Sequence, residues 1–287
     1  MSSPDAAAAR VARSTGSGTL RLLGNELATL FRRWRTWAML GALALIPILV
    51  AVALRVAGST SPGRGPAFLD QVTNNGLFVS IAAMTVAIPL FLPLTVSVTS
   101  GDTIAGEASH GTLRYLLIAP AGRVRLLVVK YIAAAAFCLA GTLTLVVVGT
   151  VIGWALFPTG PVTLLSGGQI SAAEGLLRFI AIAAYETVSL LGLSAIGLFF
   201  STLTTVPVGA MAATAILAVS SQIVGAIPQL SALHPYLFTN RWLDFGDLLR
   251  SPAVWDSFVE NAGLQAVYIA IFFTAAVLRF TTRDVLS

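Results

Sequence analysis

Long apolar runs alternate with short polar segments along nearly the whole chain. Helices of about 20 apolar residues cross a hydrocarbon core of about 30 Å, and the runs come close to that length or exceed it. They cover residues 37–54, 77–100, 126–156, 176–200, 206–227 and 262–278. This pattern predicts an all-α integral membrane protein with six transmembrane helices, forming one domain over residues 19–280.

The segments outside the apolar runs differ in kind. Residues 1–18 are rich in Ala, Ser, Gly and Arg and are predicted to be a disordered tail, while residues 281–287 are predicted to be a short basic tail. Residues 19–35 place leucines at three- and four-residue steps with arginines opposite, which predicts an amphipathic helix lying along a membrane surface. A soluble packing helix is the alternative interpretation.

Composition supports the membrane assignment. Apolar residues make up 56% of the chain and charged residues 10%, against about 25% charged in soluble proteins, and the mean hydropathy is +0.87. The net charge is +5, but the basic residues flank apolar runs and form no patch with interleaved aromatics, so no nucleic-acid partner is expected. The single cysteine, Cys138, lies inside an apolar run, which excludes a disulfide framework.

The distribution of basic residues predicts the orientation, because short cytoplasmic loops are enriched in Lys and Arg. With six spans, twelve basic residues fall on one side and five on the other. The twelve are Arg10, Arg13, Arg21, Arg32, Arg33, Arg35, Arg114, Arg123, Arg125, Lys130, Arg279 and Arg283, and the five are Arg55, Arg64, Arg178, Arg241 and Arg250. We therefore expect a multi-pass protein of the cell membrane with both termini in the cytoplasm.

The sequence carries little that points to catalysis. His110 and His234 are expected at opposite sides of the membrane, so they are not expected to share a metal ion. The chain has no GxxxxGK[ST] motif, the loop that holds ATP phosphates in many ATPases. No catalytic residue and no bound cofactor are expected, and any ATP and Mg²⁺ would belong to a partner subunit.

Residues 102–130 form the one polar interruption with a dense set of charges. We interpret its first part as a short cytoplasmic helix that begins near Asp102, which would cap it. Glu107, His110 and Arg114 then share one face, because three- and four-residue steps bring side chains together on a helix. Such a helix would be suited to transmit a push from a soluble partner. An ordinary solvated loop is the alternative.

The same segment resembles a known family. Gly106-Glu107, His110-Gly111-Thr112-Leu113, Leu116-Leu117, Pro120 and Arg123 resemble the "GE…GTL…LL…P…R" pattern that follows the second span in ABC exporter permeases of the type-2 class. The tail Arg283-Asp284 is similar to the "RD" near the end of many members. Ala108-Ser109 departs from the charged residues that members often carry there.

The resemblance implies an architecture and partners. Residues 106–119 would be the coupling helix, and residues 19–35 the connecting helix packed against it. The coupling residues would be Glu107, His110, Gly111, Thr112, Leu113 and Arg114. Glu107 would pair with Arg32 or Arg33 of the connecting helix. Two permeases, homo- or heterodimeric, would work in the lipid bilayer with two separate ABC ATPase subunits, which bind ATP and Mg²⁺.

Glu186 is a candidate residue of the translocation pathway. It lies ten residues into the fourth predicted span, about 15 Å from its end at ~1.5 Å per residue and hence near the membrane centre. One interpretation is a group that contacts substrate or a proton. The other is a neutral acid hydrogen-bonded to Gln222 or to a hydroxyl of the second span.

Two other functions remain open from sequence. A secondary transporter driven by an ion gradient would carry more ionisable groups inside the membrane and broken helices in matching positions. A non-transporting anchor subunit would use the charged segment only for docking.

Overall fold

A computed structural model describes residues 19–57, 75–111, 122–158, 160, 162–164 and 168–282, and it is mostly helical. The helices are α1 (residues 19–32), α2 (Trp34–Ala57), α3 (Phe78–Ala87), α4 (Phe91–Ser109), α5 (Arg123–Leu156), α6 (Ala172–Leu203), α7 (Pro207–Ala226) and α8 (Asp256–Thr282). Three short 3₁₀ helices, Pro228–Leu230, His234–Tyr236 and Asp244–Leu249, connect α7 to α8.

Within the described residues, five helices are long and apolar enough to cross a membrane: α2, α5, α6, α7 and α8. Helices α3 and α4 pass the same test only together, and they are bent by 60° at the residues between them. The protein is therefore a mostly helical, multi-pass membrane protein. This confirms the predicted fold class at that level, apart from one small departure. Strands β1 (Val162–Thr163) and β2 (Gln169–Ile170) form an antiparallel hairpin where a loop was expected.

Helix α6 lies at the centre of the bundle, packed against α4, α5, α7 and α8. Small residues allow the close approach of these helices. A Cβ atom built on Gly101 of α4 would lie 2.8 Å from the backbone nitrogen of Met211 in α7, so only glycine fits that crossing without moving the backbone.

This crossing yields a stability prediction. We expect Gly101→Ala to lower the free energy of unfolding by about 1–3 kcal/mol, the usual cost of overpacking, as measured by SDS titration in mixed micelles. The matched control is Gly41→Ala in α2, where no atom lies within 4 Å of the added Cβ. An equal effect of the two changes would contradict the packing argument.

The predicted amphipathic helix is present, but it ends earlier than expected. Half-buried residues recur in α1 at positions 22–23, 26–27 and 30–31, so one face packs and the other is exposed. The helix stops at residue 32 rather than 35 because side chains that follow it bind its last carbonyls. Thr36 Oγ1 donates to Leu30 O at 2.6 Å and Trp37 Nε1 donates to Phe31 O at 2.7 Å. Apolar periodicity alone does not reveal such a bend.

The second predicted span is wrong in two respects. It is broken at residues 88–90, and its second half runs to Ser109 instead of ending at residue 100. Pro93 has no N–H, which leaves the carbonyl of Pro89 without its helical donor. Gln222 Nε2 of α7 donates to that carbonyl at 2.8 Å, so a neighbouring helix, rather than the hydroxyls of the same span, stabilises the break.

Other boundaries shift by a turn or more. Helix α6 begins at Ala172, not at residue 176, because the Ser171 hydroxyl accepts the Glu174 N–H at 3.2 Å. Ser-x-x-Glu is the sequence signature of a capping box. The predicted start at residue 176 used only the apolar pattern, which does not include this signature. Helix α8 covers Asp256–Thr282, longer than the predicted 262–278.

Several predictions fall outside the described residues. These are the disordered tail over residues 1–18, the coupling residues Thr112, Leu113 and Arg114, the remainder of the coupling helix to residue 119, and the Arg283-Asp284 tail. Residues 281–282, predicted to open the C-terminal tail, are the last two of α8.

Candidate coupling site at the charged end of the bundle

One end of the bundle contains the described charged residues of the segment 102–130. We call it the charged end: α1, the bend at Arg33, the last turns of α4, the first turns of α5 and the last turn of α8. Glu107, His110 and Gly111 lie here, at the end of α4. An apolar cluster of Ile104, Leu126, Leu127, Leu198 and Phe280 underlies it and joins α4, α5, α6 and α8.

The lysine of α5, Lys130, is the most buried charge of this end, with a side chain only 2% exposed. Its Nζ donates to Glu26 Oε1 of α1 at 2.9 Å and to Glu107 Oε1 of α4 at 3.4 Å. The two carboxylates are 25% and 20% exposed. One cation therefore ties three helices together, and a buried cation of this kind is costly unless it is paired.

A second ion-pair cluster lies beside it at the junction of α1 and α2. Asp102 Oδ2 accepts from Arg33 Nη1 at 3.4 Å and from Arg35 Nη1 at 3.2 Å. Asp102 is thus an interior residue of α4 and does not cap a new helix, so the predicted start of a separate coupling helix is wrong. Residues 102–109 continue the membrane helix without interruption.

The predicted partner of Glu107 also needs correction. Within the described residues its ion pair is with Lys130, and the ion pair of Arg33 is with Asp102. Arg32 makes no salt bridge to Glu107 there. Helices α1 and α4 are linked through Glu26, Lys130 and Glu107, and Asp102 links α4 to the bend at Arg33 and to α2.

Two further contacts fix the charged end. Ser201 Oγ of α6 accepts the N–H groups of Ile104 and Ala105 at 2.9 and 2.8 Å and donates to the Gly101 carbonyl at 2.7 Å. Arg123 Nη1 at the start of α5 donates to the carbonyls of Phe280 and Thr281 at 3.3 and 3.0 Å. A cation is favourable at a helix C-terminus, so α5 and α8 are joined there.

The last residues of α4 form a compact cap. His110 Nδ1 lies 2.7 Å from the Gly106 carbonyl, and Gly111 follows with φ of 69°. That left-handed conformation favours glycine and commonly ends a helix.

A cavity of about 550 Å³ opens at the charged end. It is lined by Arg33, Trp34 and Arg35 and by four residues of α4 and its end, Asp102, Gly106, Glu107 and His110. Trp34 is 84% exposed. The predicted coupling residues and the predicted connecting helix thus border one concave surface with charges of both signs.

Glu186 lies far from this surface, in the middle of α6. It is fully buried, and neither carboxyl oxygen has a hydrogen-bond partner within the described residues. The predicted hydrogen bond to Gln222 is wrong, since Gln222 bonds to Pro89, and no hydroxyl of the second span reaches the carboxyl.

Sequence reasoning missed Glu26, Ser201 and the central role of Lys130. Lys130 carried a signal, because it is the one lysine of the chain and stands inside an apolar run, where a charge is costly without a partner. Ser201 carried none, since serine is common in membrane helices.

Comparison with known proteins adds a family but no activity. No curated protein matches the chain. A family model described as "Protein of unknown function (DUF2705)" matches residues 39–286, which include α4, α5 and the centre of the bundle. The chain belongs to the DUF2705 family.

Proposed function

We propose that this chain is the membrane permease subunit of an ATP-driven ABC exporter, acting as a dimer and moved by a separate ATPase subunit. In this proposal α3 and α4 are the two halves of one of six spans, and the charged end faces the cytoplasm. The observation that carries the proposal is the linkage of α1, α4 and α5 through Lys130 beside a surface cavity.

The cavity is the proposed docking place. An element of the ATPase subunit would enter between residues 33–35 and the end of α4, where acidic and basic side chains provide partners for a polar surface. Residues 112–121, which carry the rest of the family-like motif, connect the same end of α4 to α5. ATP and Mg²⁺ would be bound by the ATPase subunit.

The continuity of α4 gives the proposal its mechanical basis. Because α4 runs from Phe91 to Ser109 without a joint, a push on Glu107 displaces the membrane part of the helix as one body. The break at residues 88–90 is the place where this motion is taken up, since α3 beyond it packs separately against α5. Tilting one half of a broken span is a hinge motion of a common kind.

The sides of the bundle provide surface for lipid and for a second permease. In the most apolar windows of α7 and α8, only 22% and 17% of residues are buried. Exposed residues there include Val208, Ile216 and Ile223 of α7 and Val267 and Ile271 of α8.

The test is copurification of the chain from its native host, followed by reconstitution with the ABC ATPase subunit that this proposal requires. We expect the ATPase to copurify with the chain, and we expect Glu107→Ala and Gly111→Val to reduce transport-coupled ATP hydrolysis several-fold. Glu107→Ala removes one partner of Lys130, and Gly111→Val strains a residue at positive φ. Gly24→Ala in α1, where no atom lies within 4 Å of the added Cβ, is the control that should leave hydrolysis unchanged.

The proposal makes a further demand on orientation. A thiol introduced by His110→Cys should react with a membrane-impermeant reagent only from the cytoplasmic side. Reaction only from outside the cell, or full coupling in both variants above, would overturn the proposal. A chain that binds the ATPase but moves nothing in reconstituted vesicles would be an anchor subunit.

An ion-driven secondary transporter is the second candidate, favoured by two observations. The break between α3 and α4, and a buried Glu186 with no hydrogen-bond partner among the described residues, are features of ion-coupled carriers. Uptake or efflux that follows an imposed proton gradient without ATP would support this candidate over the exporter.

A further inference from the structure

The contacts of α6 on its two flanks define the face on which Glu186 lies. On one flank, Thr187 and Ser194 contact Thr142 and Cys138 of α5 at 2.9 and 3.2 Å. On the other flank, Asn261 Nδ2 of α8 donates to Ser189 Oγ at 2.7 Å. Successive residues are about 100° apart around a helix. Glu186 therefore points between these two flanks, into the gap between α5 and α8.

The broken span occupies that gap. The rings of Phe179 and Phe78 of α3 lie 6.5 Å apart, and a Cβ on Gly197 would meet the Ser100 hydroxyl of α4. Positions 179, 186 and 197 fall within roughly 20° of one another around a helix with 3.6 residues per turn. Glu186 therefore faces α3 and α4.

The level of Glu186 along the bundle coincides with the break. Seven residues separate it from Phe179, about 10 Å at ~1.5 Å per residue. Helix α3 begins at Phe78 beside Phe179 and is ten residues long, so it ends after about 14 Å on the same rise. The carboxyl group thus lies within about one helical turn of the point where α3 ends and α4 begins.

The first backbone N–H groups of α4 lack hydrogen-bond acceptors within the described residues. Its N-cap, Leu90, provides no side-chain hydrogen bond, and within the described residues the N–H groups of Phe91 and Leu92 have no acceptor. Leu92 is 1% exposed. The first N–H groups of a helix carry partial positive charge and favour an anion.

We propose that Glu186 is a proton-binding site of the bundle, facing the uncapped start of α4. In the arrangement described here the carboxyl group holds a proton, because a fully buried carboxylate with no partner among the described residues is far more costly than the neutral acid. When the bundle opens at the break, the proton passes to entering water, and the start of α4 stabilises the carboxylate left behind. This site does not depend on whether ATP or an ion gradient drives the protein.

The other titratable groups on and around α6 do not pair with Glu186 within the described residues. Helix α7 has none, and α4 has its acids only at the charged end. The groups on the remaining elements packed against α6, and on α6 itself, are Arg123, Arg125, Lys130, Tyr131 and Cys138 of α5, His234, Tyr236, Arg241, Asp244, Asp247 and Arg250 of the α7–α8 connection, Asp256, Glu260, Tyr268 and Arg279 of α8, and Glu174, Arg178 and Tyr185 of α6. Arg241 pairs with Asp244 and Glu260, and none of these groups pairs with Glu186 within the described residues.

Infrared difference spectroscopy of the purified chain in lipid nanodiscs tests the proposal without the ATPase. At neutral pH the native protein should show the C=O stretching band of one protonated carboxylic acid, and this band should disappear in Glu186→Gln. Glu186→Asp should retain a shifted band. The control is Glu174→Gln in the same helix, a half-exposed acid paired with Arg178, which should leave the band unchanged.

The outcomes separate this proposal from the proposed function. A folded native protein with no band lost in Glu186→Gln would overturn the proton site even if the chain proves to be an exporter subunit. A band that depends on Glu186 would support the site even if no ATPase partner is found.

Discussion

Replacing Lys130 with methionine is expected to lower the free energy of unfolding by about 2–4 kcal/mol, somewhat below the ~3–5 kcal/mol typical of breaking a fully buried ion pair. The change keeps most of the apolar stem but leaves Glu26 and Glu107 close together without their cation. The discount reflects the partial exposure of both carboxylates, which water continues to solvate. SDS titration in mixed micelles measures the effect.

The cause of that loss can be isolated. Adding Glu26→Gln and Glu107→Gln to Lys130→Met removes the uncompensated charges, and much of the lost stability should return, since neutral replacements of buried ion pairs are often tolerated. Arg250→Met is the control, because its pair with Asp247 is exposed and such pairs contribute about 0–1 kcal/mol. No recovery in the triple variant would show that packing of the lysine stem, not charge, stabilises this end.

Ser201→Ala is the second large effect, with an expected loss of about 1–3 kcal/mol, the usual cost when buried polar groups lose a hydrogen-bond partner. The alanine removes the acceptor of two α4 N–H groups and the donor to the Gly101 carbonyl. Free energies of unfolding from the same SDS titration should show it.

The matched control for Ser201 is Ser220→Ala on the exposed face of α7, where a small residue replaces another without loss of a buried contact. Ser201→Thr retains the hydroxyl and should fall between the two. Equal stability of Ser201→Ala and Ser220→Ala would mean that the α4 backbone finds other acceptors when the hydroxyl is absent.

Much of the fold follows from apolar run length alone. The spans α2, α5, α6, α7 and α8 were each predicted near their observed centres, because a run of about 20 apolar residues has few alternatives to a membrane helix. The ends were less accurate. Ser171, Thr36 and Pro93 decide where helices begin, bend or break through hydrogen bonds that a hydropathy pattern does not contain.

For the candidate site, the sequence pointed to a group of charged residues but not to their ion-pair partners. Within the described residues, Asp102, Glu107, His110, Arg123, Arg125 and Lys130 lie at one end of the bundle. The predicted partner of Glu107 was wrong because ion pairing depends on the rotation of three helices about their axes, which the sequence pattern does not contain. The position of Glu186 along its span was apparent from the sequence. The sequence did not show that the buried carboxyl group has no hydrogen-bond partner among the described residues, because that depends on how the helices pack.

The length of α5 has a consequence for the lipid around the protein. Its 34 residues extend about 51 Å at ~1.5 Å per residue, well beyond a hydrocarbon core of about 30 Å. Lys130 lies about 10 Å from the start of the helix on the same rise, near the edge of the hydrocarbon core when α5 is centred in the bilayer. Longer acyl chains would draw Glu26 and Glu107 toward hydrocarbon, where separating them from the lysine costs more, so membrane thickness sets how firmly this joint is held.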